Sequence, residues 1–364
     1  MSSSLVVPVV LLENVRIHSR ADNLELCDVL GYQMCIPKGK YKSGDVCVYI
    51  PADTLLPAEW ADKFGVRAFL KGKDKDRVGQ IRLRGEPSFG LVADVPEGQS
   101  WKVGQNVAEF FSCRKYEPPI RPASGDQASH DAAIDPYFNT YTDIQNGRIF
   151  TQVFKEGEEV VAIEKIHGSN SRAGLLQSIG WVAGSHTTRK KHPVDDAGIP
   201  LPFPGDWMKS NLYWFPFYTP GVISLLSNLS DETGAKIVLL FGEIYGRSVQ
   251  SLDYGIPKGK GFGYRAFDIC VDGKYRDYDE FVGLCTRFGV EMAPLVYRGP
   301  FSLGKIKEVV EGKTLISGAD HIREGVVVRP VHERIDPAVG RAILKYISTE
   351  YSLSKHKDAD TTDV

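Results

Sequence analysis

The chain has 364 residues, of which 42% are hydrophobic and 25% are charged. This composition excludes a disordered chain and predicts two or three folded domains. The formal net charge is -2, which excludes a uniformly basic nucleic-acid binder and limits any such binding to a local surface. No stretch approaches ~18 consecutive apolar residues, and the N-terminus lacks the pattern of a signal peptide. We therefore expect a soluble cytoplasmic protein with no membrane partner.

The 6 cysteines include no CxxC pair and have no histidine cluster at the spacing of zinc ligands. Their neighbours are apolar, as in Val46-Cys47-Val48 and Ile269-Cys270-Val271. We expect buried, reduced thiols rather than a metal centre.

The first part of the chain is predicted to form short strands separated by turns rich in Gly and Asp. The predicted strands span residues 6–15, 24–30, 46–50, 80–83 and 90–92. Such a pattern is typical of a small barrel, so residues 1–112 are predicted to be an all-β module. Residues 113–140 are rich in Pro, Ala, Ser and Asp and are predicted to be a linker.

The second part, residues 141–352, mixes predicted strands and helices. Strands are predicted at 159–163, 237–241, 264–271, 325–329 and 342–346, and helices at 222–229 and 278–288. Because the order is not a regular βαβ alternation, we expect an α+β domain of antiparallel sheets with helices. Residues 353–364 are predicted to be a polar tail.

The sharpest local signal is the run EKIHGSN, which contains Lys165 and follows the apolar strand VVAI. A lysine at a strand end can attack the α-phosphate of a nucleotide and form a phosphoramidate. The amine must be neutral to attack, so a nearby cation or metal is expected to lower its pKa. Gly168 would let the backbone turn close to the nucleotide, and Asn170 could hydrogen-bond its sugar or phosphate. Taken alone, a KxxG run is common and fits a solvated lysine before a turn better than a nucleophile.

Four later positions each place a charged residue within an apolar run. They are Glu243 in VLLFGEIYGR, Asp268 in RAFDIC, Glu324 in REGVVVRP and Lys345 in AILKYIS. Burying an unpaired charge costs several kcal/mol, so each of these residues must be paired or functional. Their order after Lys165 indicates a single nucleotide site rather than chance.

The ordered runs EKIHGSN, FGEIYG, AFDI, EGVVVRP and LKYIS resemble nucleotidyltransferase motifs I, III, IIIa, IV and V of covalent polynucleotide ligases and capping enzymes. EKIHGSN is similar to the RNA ligase 2 branch, where His replaces the Asp of the wider KxDG signature. Asn170 stands where many DNA ligases and capping enzymes carry Arg. The resemblance implies an ATP-dependent RNA ligase with a role in RNA repair. A DNA ligase and a capping-type guanylyltransferase are the first alternatives.

The resemblance also implies roles for individual residues and two cofactors, ATP and a divalent metal, Mg or Mn. Lys165 would carry AMP, Lys345 would contact the α-phosphate, and Glu324 would act in catalysis. Glu324 and Glu243 would hold the metal. The implied ATP-binding residues are Glu164, Ile166, Asn170, Arg189, Glu243 and Phe267, the last by stacking on adenine. Either His186 or Arg189 could fill the place of the motif Ia arginine. Motif V of relatives often has a second lysine, and Ile347 stands in its place.

The N-terminal runs RADNLE, IPKG and SGDV are similar to tRNA-binding OB modules and to the OB modules of the RNA ligase 5 family. An OB-like barrel ahead of the catalytic domain is also the order of that family. The resemblance implies that the partner is RNA or an RNA-containing nicked duplex, and we expect a monomer. A non-catalytic tRNA- or RNA-binding protein is the second alternative. A basic groove could be formed by Lys38, Lys40, Tyr41, Lys42, Arg67, Lys71, Lys73, Arg82 and Arg84.

Overall fold

The computed structural model describes residues 5–116 and 138–353. The chain forms two compact units, one of residues 1–119 with 146–151 and the other of residues 120–145 with 152–364. Most of the predicted linker and nearly all of the predicted polar tail lie outside the described residues. Within the described residues, no helix is long and apolar enough to cross a membrane.

The N-terminal unit is built from short antiparallel strands. In chain order the strands are β1 Val9–Leu11, β2 Glu13–Ile17, β3 Leu24–Val29, β4 Tyr32–Pro37, β5 Val46–Pro51, β6 Thr54–Leu55, β7 Gln80–Leu83, β8 Glu86–Asp94 and β9 Arg114–Lys115. They form sheets in the orders β1-β5-β8-β7, β2-β3-β4 and β6-β9. Helix α1 spans Ala58–Lys63 and a 3-10 turn spans Arg67–Phe69. The predicted β-rich module is therefore present, with one short helix added.

Three details of this unit differ from the prediction. The expected strand over 6–15 is divided into β1 and β2, which belong to different sheets. Strand β4 was not predicted. Strand β8 is longer than expected because Gly90 continues it with a positive φ of 128°. A Cβ at Gly90 would lie 2.7 Å from the carbonyl oxygen of Ile50, so this pairing requires glycine.

Residues 146–151 return to the N-terminal unit, although the sequence placed them in the second domain. The guanidinium of Arg148 explains this return. It donates a 2.8 Å hydrogen bond to the carbonyl oxygen of Gly31 and lies 4.3 Å from the ring centroid of Tyr32.

The C-terminal unit combines antiparallel strands with helices. The strands are β10 Gln145–Asn146, β11 Glu159–Glu164, β12 Ser169–Leu176, β13 Gly180–Gly184, β14 Arg189–Lys190, β15 Ile237–Tyr245, β16 Gly263–Val271, β17 Lys274–Tyr275, β18 Leu295–Pro300, β19 Gly325–Pro330, β20 Ile335–Asp336, β21 Gly340–Arg341 and β22 Leu344–Ile347. The helices are α2 Val222–Thr233, α3 Tyr278–Phe288, α4 Leu303–Val310 and α5 Thr349–Leu353, with 3-10 turns at Asp206–Lys209 and Phe215–Tyr218. The predicted α+β class is confirmed.

Two sheets carry the functional strands of this unit. One has the order β14-β13-β12-β15-β16-β17, and the other contains the run β22-β19-β11-β18. The main apolar core takes residues from both sheets and from helices α2 and α3. Helix α2 shows why the core forms: Val222, Leu225, Leu226 and Leu229 recur at helical spacing, and all four are buried.

Asp268 of β16 is fully buried, and the structure shows that this charge is paired. Its two carboxylate oxygens lie 3.0 Å from Nη1 of Arg329 and 2.6 Å from Nη1 of Arg341. Glu333 contacts both arginines as well, and the hydroxyl of Tyr141 donates to Asp268 at 2.9 Å. Two acids thus balance two arginines in the core.

Candidate active site

A cavity of about 290 Å³ opens in the C-terminal unit where β11, β12, β15, β16, β19 and β22 meet. Its size fits a small-molecule site. The structure brings together in its lining most of the residues singled out in the sequence, namely Glu164, Lys165, Ile166, Asn170, Glu243, Phe267 and Lys345.

Strand pairing places Lys165 beside Glu324. Strands β11 and β19 are antiparallel neighbours, and the backbone N–H of Lys165 donates to the carbonyl oxygen of Gly325 at 3.0 Å. Lys165 therefore leaves β11 at the point where Glu324 enters β19. As a result, Nζ of Lys165 lies 2.6 Å from Oε1 of Glu324.

The carboxylate of Glu324 is held in its charged form. Burial alone would raise its pKa, but the charge of Lys165 and the contact with His167 lower the pKa to about 2. The second oxygen, Oε2, is buried without a hydrogen bond and lies 3.5 Å from Nδ1 of His167. His167 is positioned in turn by Ser251, 3.2 Å from its Nε2, and by Tyr351, 3.3 Å from its Nδ1.

A second carboxyl group, that of Glu243, lines the cavity with Lys165, and its pKa is shifted in the opposite direction. Burial raises its pKa to about 8; the charge of Lys165 opposes this rise, and the charge of Glu324 adds a smaller rise. Glu243 stands opposite Asn170 in the β12–β15 ladder. Oδ1 of Asn170 is also buried without a hydrogen-bond partner. An acceptor left open in a cavity is suited to a ligand that donates a hydrogen bond.

Gly168 allows the turn after Lys165 to lie close to β15, which is not the reason expected from the sequence. The sequence argument assigned it to a close approach of the backbone to a nucleotide. A Cβ at this position would lie 2.2 Å from the carbonyl oxygen of Ile244 and 3.0 Å from Cγ of Glu243. Gly168 therefore lets the Lys165 turn pack against β15.

Phe267 reaches the cavity because of a β-bulge. In the β15–β16 ladder Phe241 pairs with Asp268, but the next residue, Gly242, pairs with Ala266. Phe267 is the extra residue between them, and a bulge of this kind redirects a side chain. Its ring packs edge-on against Tyr141, with ring centroids 5.0 Å apart. Phe267 thus lines the cavity while Asp268 lies in the core.

Glu164, Ile166 and Lys345 also line the cavity, in different ways. Lys345 lies opposite Val327 in the β19–β22 ladder, and Ile166 is buried. The carboxylate of Glu164 already accepts hydrogen bonds from Oγ1 of Thr314 at 2.5 Å and from the backbone N–H of Leu315 at 2.7 Å. Glu164 therefore shapes the cavity wall and fixes a neighbouring loop.

The structure separates the two candidates for the motif Ia position. His186 lines the cavity with Lys165, whereas Arg189 lines a different cavity of the same unit. His186 Nε2 lies 3.8 Å from Oδ1 of Asp143, and burial lowers its pKa despite that carboxylate. The turn after β13 therefore directs the two side chains to different cavities, and only His186 shares a cavity with Lys165. The assignment of the motif Ia role stays a prediction.

Sequence reasoning did not identify one wall of the cavity. Tyr141, Thr142, Asp143 and Ile144 precede β11 and contribute to the lining. This segment carries no motif. The aromatic and acidic pair at 141 and 143, directly after the Pro- and Ser-rich stretch, was the available signal.

The basic groove expected on the N-terminal unit needs one correction. Tyr41 is buried and hydrogen-bonded to Asp94, so it cannot offer a stacking face. Lys40 and Arg67 are ion-paired with Asp94 and Asp62, at 2.7 and 2.6 Å. Lys38, Lys42, Lys73, Arg82 and Arg84 are exposed and Lys71 is half-buried. The cysteines carry no disulfide. Cys27, Cys47, Cys270 and Cys285 are buried as expected, whereas Cys35 and Cys113 are only half-buried.

The RNA ligase family model matches residues 158–347, slightly more than half of the chain. The chain belongs to the RNA ligase family. A second model, of an OB-fold domain, matches residues 6–95, so the expected OB-fold module at the N-terminus is confirmed. No curated protein matches the chain.

Solved structures of Naegleria gruberi RNA ligase resemble this RNA ligase along its whole length. The ligase with PPi has a TM-score of 0.70 and 23% identity, covering 97% of this chain and 99% of the other. A mutant with ATP and Mn has a TM-score of 0.72 and 23% identity, covering 97% and 100%. Another mutant, with AMP and Mn, has a TM-score of 0.71, 23% identity and coverage of 97% and 99%. At this identity, the likeness establishes a shared fold.

Proposed function

We propose that the chain is an ATP-dependent RNA ligase that joins 3′-hydroxyl and 5′-phosphate ends through a Lys165–AMP intermediate. The observation that carries the proposal is the convergence on one cavity of an amine, a carboxyl group, a second lysine and an aromatic ring, namely those of Lys165, Glu243, Lys345 and Phe267. A second carboxylate, that of Glu324, contacts the amine of Lys165 at 2.6 Å. The solved relatives with ATP or AMP and Mn support the choice of nucleotide and cofactor.

In the first step, Nζ of Lys165 attacks the α-phosphorus of ATP. The N–P bond forms, the bond to the bridging oxygen breaks, and pyrophosphate leaves with that electron pair. Glu324, 2.6 Å from Nζ, orients the amine. Lys345 stabilises the negative charge that develops on the phosphate, while Phe267 stacks on the adenine and Glu243 binds the ribose.

The site also fits a divalent metal of the Mg or Mn class. No group of three or more His, Cys, Asp or Glu side chains that could hold a metal is found among residues 5–116 and 138–353. Mg²⁺ is usually held by one or two carboxylates together with substrate phosphates. Glu324 would supply the first carboxylate, and Glu243 would supply the second in its ionised form. Oε2 of Glu324, which has no hydrogen-bond partner, could coordinate this metal. The bound metal would neutralise phosphate charge and favour the neutral form of the lysine.

The two later steps use the same cavity. A phosphate oxygen of the RNA 5′ end attacks the α-phosphorus of Lys165–AMP, and the lysine leaves. The 3′-hydroxyl then attacks the 5′-phosphorus, a phosphodiester bond forms, and AMP departs. His186 and Asn170 are positioned to contact the nucleotide or the end being sealed.

The N-terminal OB-fold unit is proposed to grip the RNA or RNA-containing nicked duplex. Its exposed lysines and arginines provide phosphate contacts. We further propose that the ligase is a cytoplasmic monomer that acts in RNA repair. If the OB-fold unit is a substrate clamp, mutating its exposed Lys73 and Arg82 to Ala should weaken sealing without lowering adenylation, and should reduce the salt dependence of sealing.

The proposal is tested by measuring adenylation and sealing separately. The full chain is incubated with Mg²⁺ or Mn²⁺ and labelled ATP or GTP, and then with matched RNA and DNA ends. We expect an adduct with ATP and sealing of RNA. An adduct with GTP alone would favour a capping-type enzyme, and sealing of DNA alone would favour a DNA ligase. RNA binding without any adduct would favour the non-catalytic alternative.

A further inference from the structure

The C-terminal unit contains a second cavity, of about 470 Å³, that the proposed chemistry does not use. It lies between β13, β14 and the segment that connects β14 to α2. Aromatic and basic residues dominate its lining: Trp181, Lys190, Lys191, His192, Phe203 and Trp214.

The aromatic residues form a platform on a rigid base. Trp214 is 1% exposed, and its indole N–H donates to the backbone carbonyl of Lys191 at 3.1 Å. The rings of Trp181 and Phe203 stack with centroids 5.1 Å apart and planes at 28°. Trp181 and Phe203 are only half-buried, so the platform retains accessible aromatic surface. Such surface is suited to stacking with a base.

The basic residues surround this platform. The consecutive residues Lys190 and Lys191 both line the cavity, and Lys191 is exposed. Nζ of Lys190 lies 5.0 Å from the ring centroid of Tyr213. Positive charge beside an aromatic platform is complementary to a nucleotide, which combines a phosphate with a stacking base.

A short chain of contacts links the second cavity to the Lys165 turn. The hydroxyl of Tyr213, beneath Lys190, lies 3.2 Å from Oγ of Ser169. Ser169 begins β12 directly after Gly168 of the Lys165 turn. The turn that carries His186 into the first cavity also leads directly into Lys190. The two cavities are therefore connected through Tyr213, Ser169 and the turn between β13 and β14.

We propose that this second cavity binds an unpaired nucleotide of the RNA substrate, close to the end being sealed. The substrate must be unpaired there because bases in an A-form duplex are stacked inside the helix and cannot offer their faces. The inference rests on the proposed function and narrows its substrate class to RNA ends with a single-stranded flank.

The test compares two RNAs of equal length, a fully paired nicked duplex and one with unpaired nucleotides beside the break. Binding to the full chain is measured without ATP. We expect Phe203→Ala and Lys191→Ala to weaken binding of the unpaired RNA by about 5- to 10-fold, the scale of losing one stacked base or its phosphate contact. Binding of the paired RNA should change by less than about 2-fold. Phe203→Tyr keeps an aromatic ring and should retain wild-type binding. Lys209 is an exposed lysine of the same segment that does not line the cavity, so Lys209→Ala should have no effect on binding.

A crosslinking experiment on the unmutated chain avoids any effect of substitution on folding. RNA with a photoreactive uridine in the unpaired flank should crosslink to the peptide that contains Trp181 or Lys191. Equal losses for both RNAs, or crosslinks confined to other peptides, would overturn the inference. Adenylation with ATP is measured in parallel. If the chain is adenylated but the substitutions weaken binding of both RNAs equally, this inference alone is rejected. If the substitutions weaken binding of the unpaired RNA only but the chain is not adenylated, the proposed ligase activity is rejected.

Discussion

Two buried charge clusters of the C-terminal unit have opposite designs. Around Asp268, two acids meet two arginines, and both oxygens of Asp268 are paired. Around Lys165, Glu324 is charged, Glu243 tends to keep its proton, and acceptors of Glu324 and Asn170 remain open. The carboxylate at the centre of the first cluster is fully paired within the protein, whereas the second cluster leaves buried acceptors without donors. Both clusters contain charged residues from apolar runs of the sequence. The side chains around each charged residue therefore distinguish a structural role from a chemical one.

The largest expected effect is on stability. Asp268→Ala leaves Arg329 and Arg341 buried without their shared carboxylate, so we expect the free energy of unfolding to fall by ~3–5 kcal/mol. The measurement is denaturant unfolding. Asp279→Ala removes an exposed ion pair with Arg298 and should cost no more than ~1 kcal/mol. Equal losses for the two variants would show that the Asp268 cluster is not a structural element.

Glu324→Gln should affect activity rather than stability. Because Glu324 orients Lys165 and is proposed to hold the metal, we expect adenylation to fall by at least ~10-fold. The variant should lose less stability than Asp268→Ala, since Lys165 is 28% exposed and can be hydrated. The rate of adduct formation measures adenylation, and a denaturant unfolding curve measures stability. A wild-type adenylation rate would remove Glu324 from the proposed mechanism.

Glu243 gives a prediction about pH. Its carboxyl keeps a proton to about pH 8 when folded, against 4.5 when unfolded. Between these values the folded state binds more protons, so the free energy of unfolding should fall as pH rises. Glu243→Gln should remove this pH dependence. With a chelator present to exclude bound metal, we expect the difference in free energy of unfolding between the variant and wild type to change by ~1–3 kcal/mol between pH 5 and 8. A difference that stays constant with pH would contradict the assigned pKa.

The smallest expected effect distinguishes His186 from Arg189. His186→Ala should raise the KM for ATP in adenylation by about 3- to 10-fold, the scale of one lost hydrogen bond. Arg189→Ala should leave that KM within about 2-fold, because Arg189 lines the other cavity. Steady-state adenylation at varied ATP concentrations measures both. The reverse order would return Arg189 to the nucleotide pocket.

The sequence predicted the parts of the site that depend on local pattern. Motif order located Lys165, Glu243, Glu324 and Lys345, and apolar runs located most of the strands that carry them. The rest depends on pairing between distant segments. The bulge that separates Phe267 from Asp268 arises from the register with β15. Residues 141–144 carry only a weak local signal, and the location of their side chains and that of His186 in the cavity depends on tertiary placement.

The central claim, that Lys165 carries AMP, is tested most directly by peptide mapping. The full chain is incubated with ATP and Mg²⁺, digested, and analysed by mass spectrometry, with Lys165→Ala and Lys165→Arg in parallel. We predict one AMP adduct, on the peptide that contains Lys165. Both variants should lack it, since alanine has no amine and arginine stays protonated. An adduct on another peptide, or a full-strength adduct in Lys165→Ala, would contradict the claim.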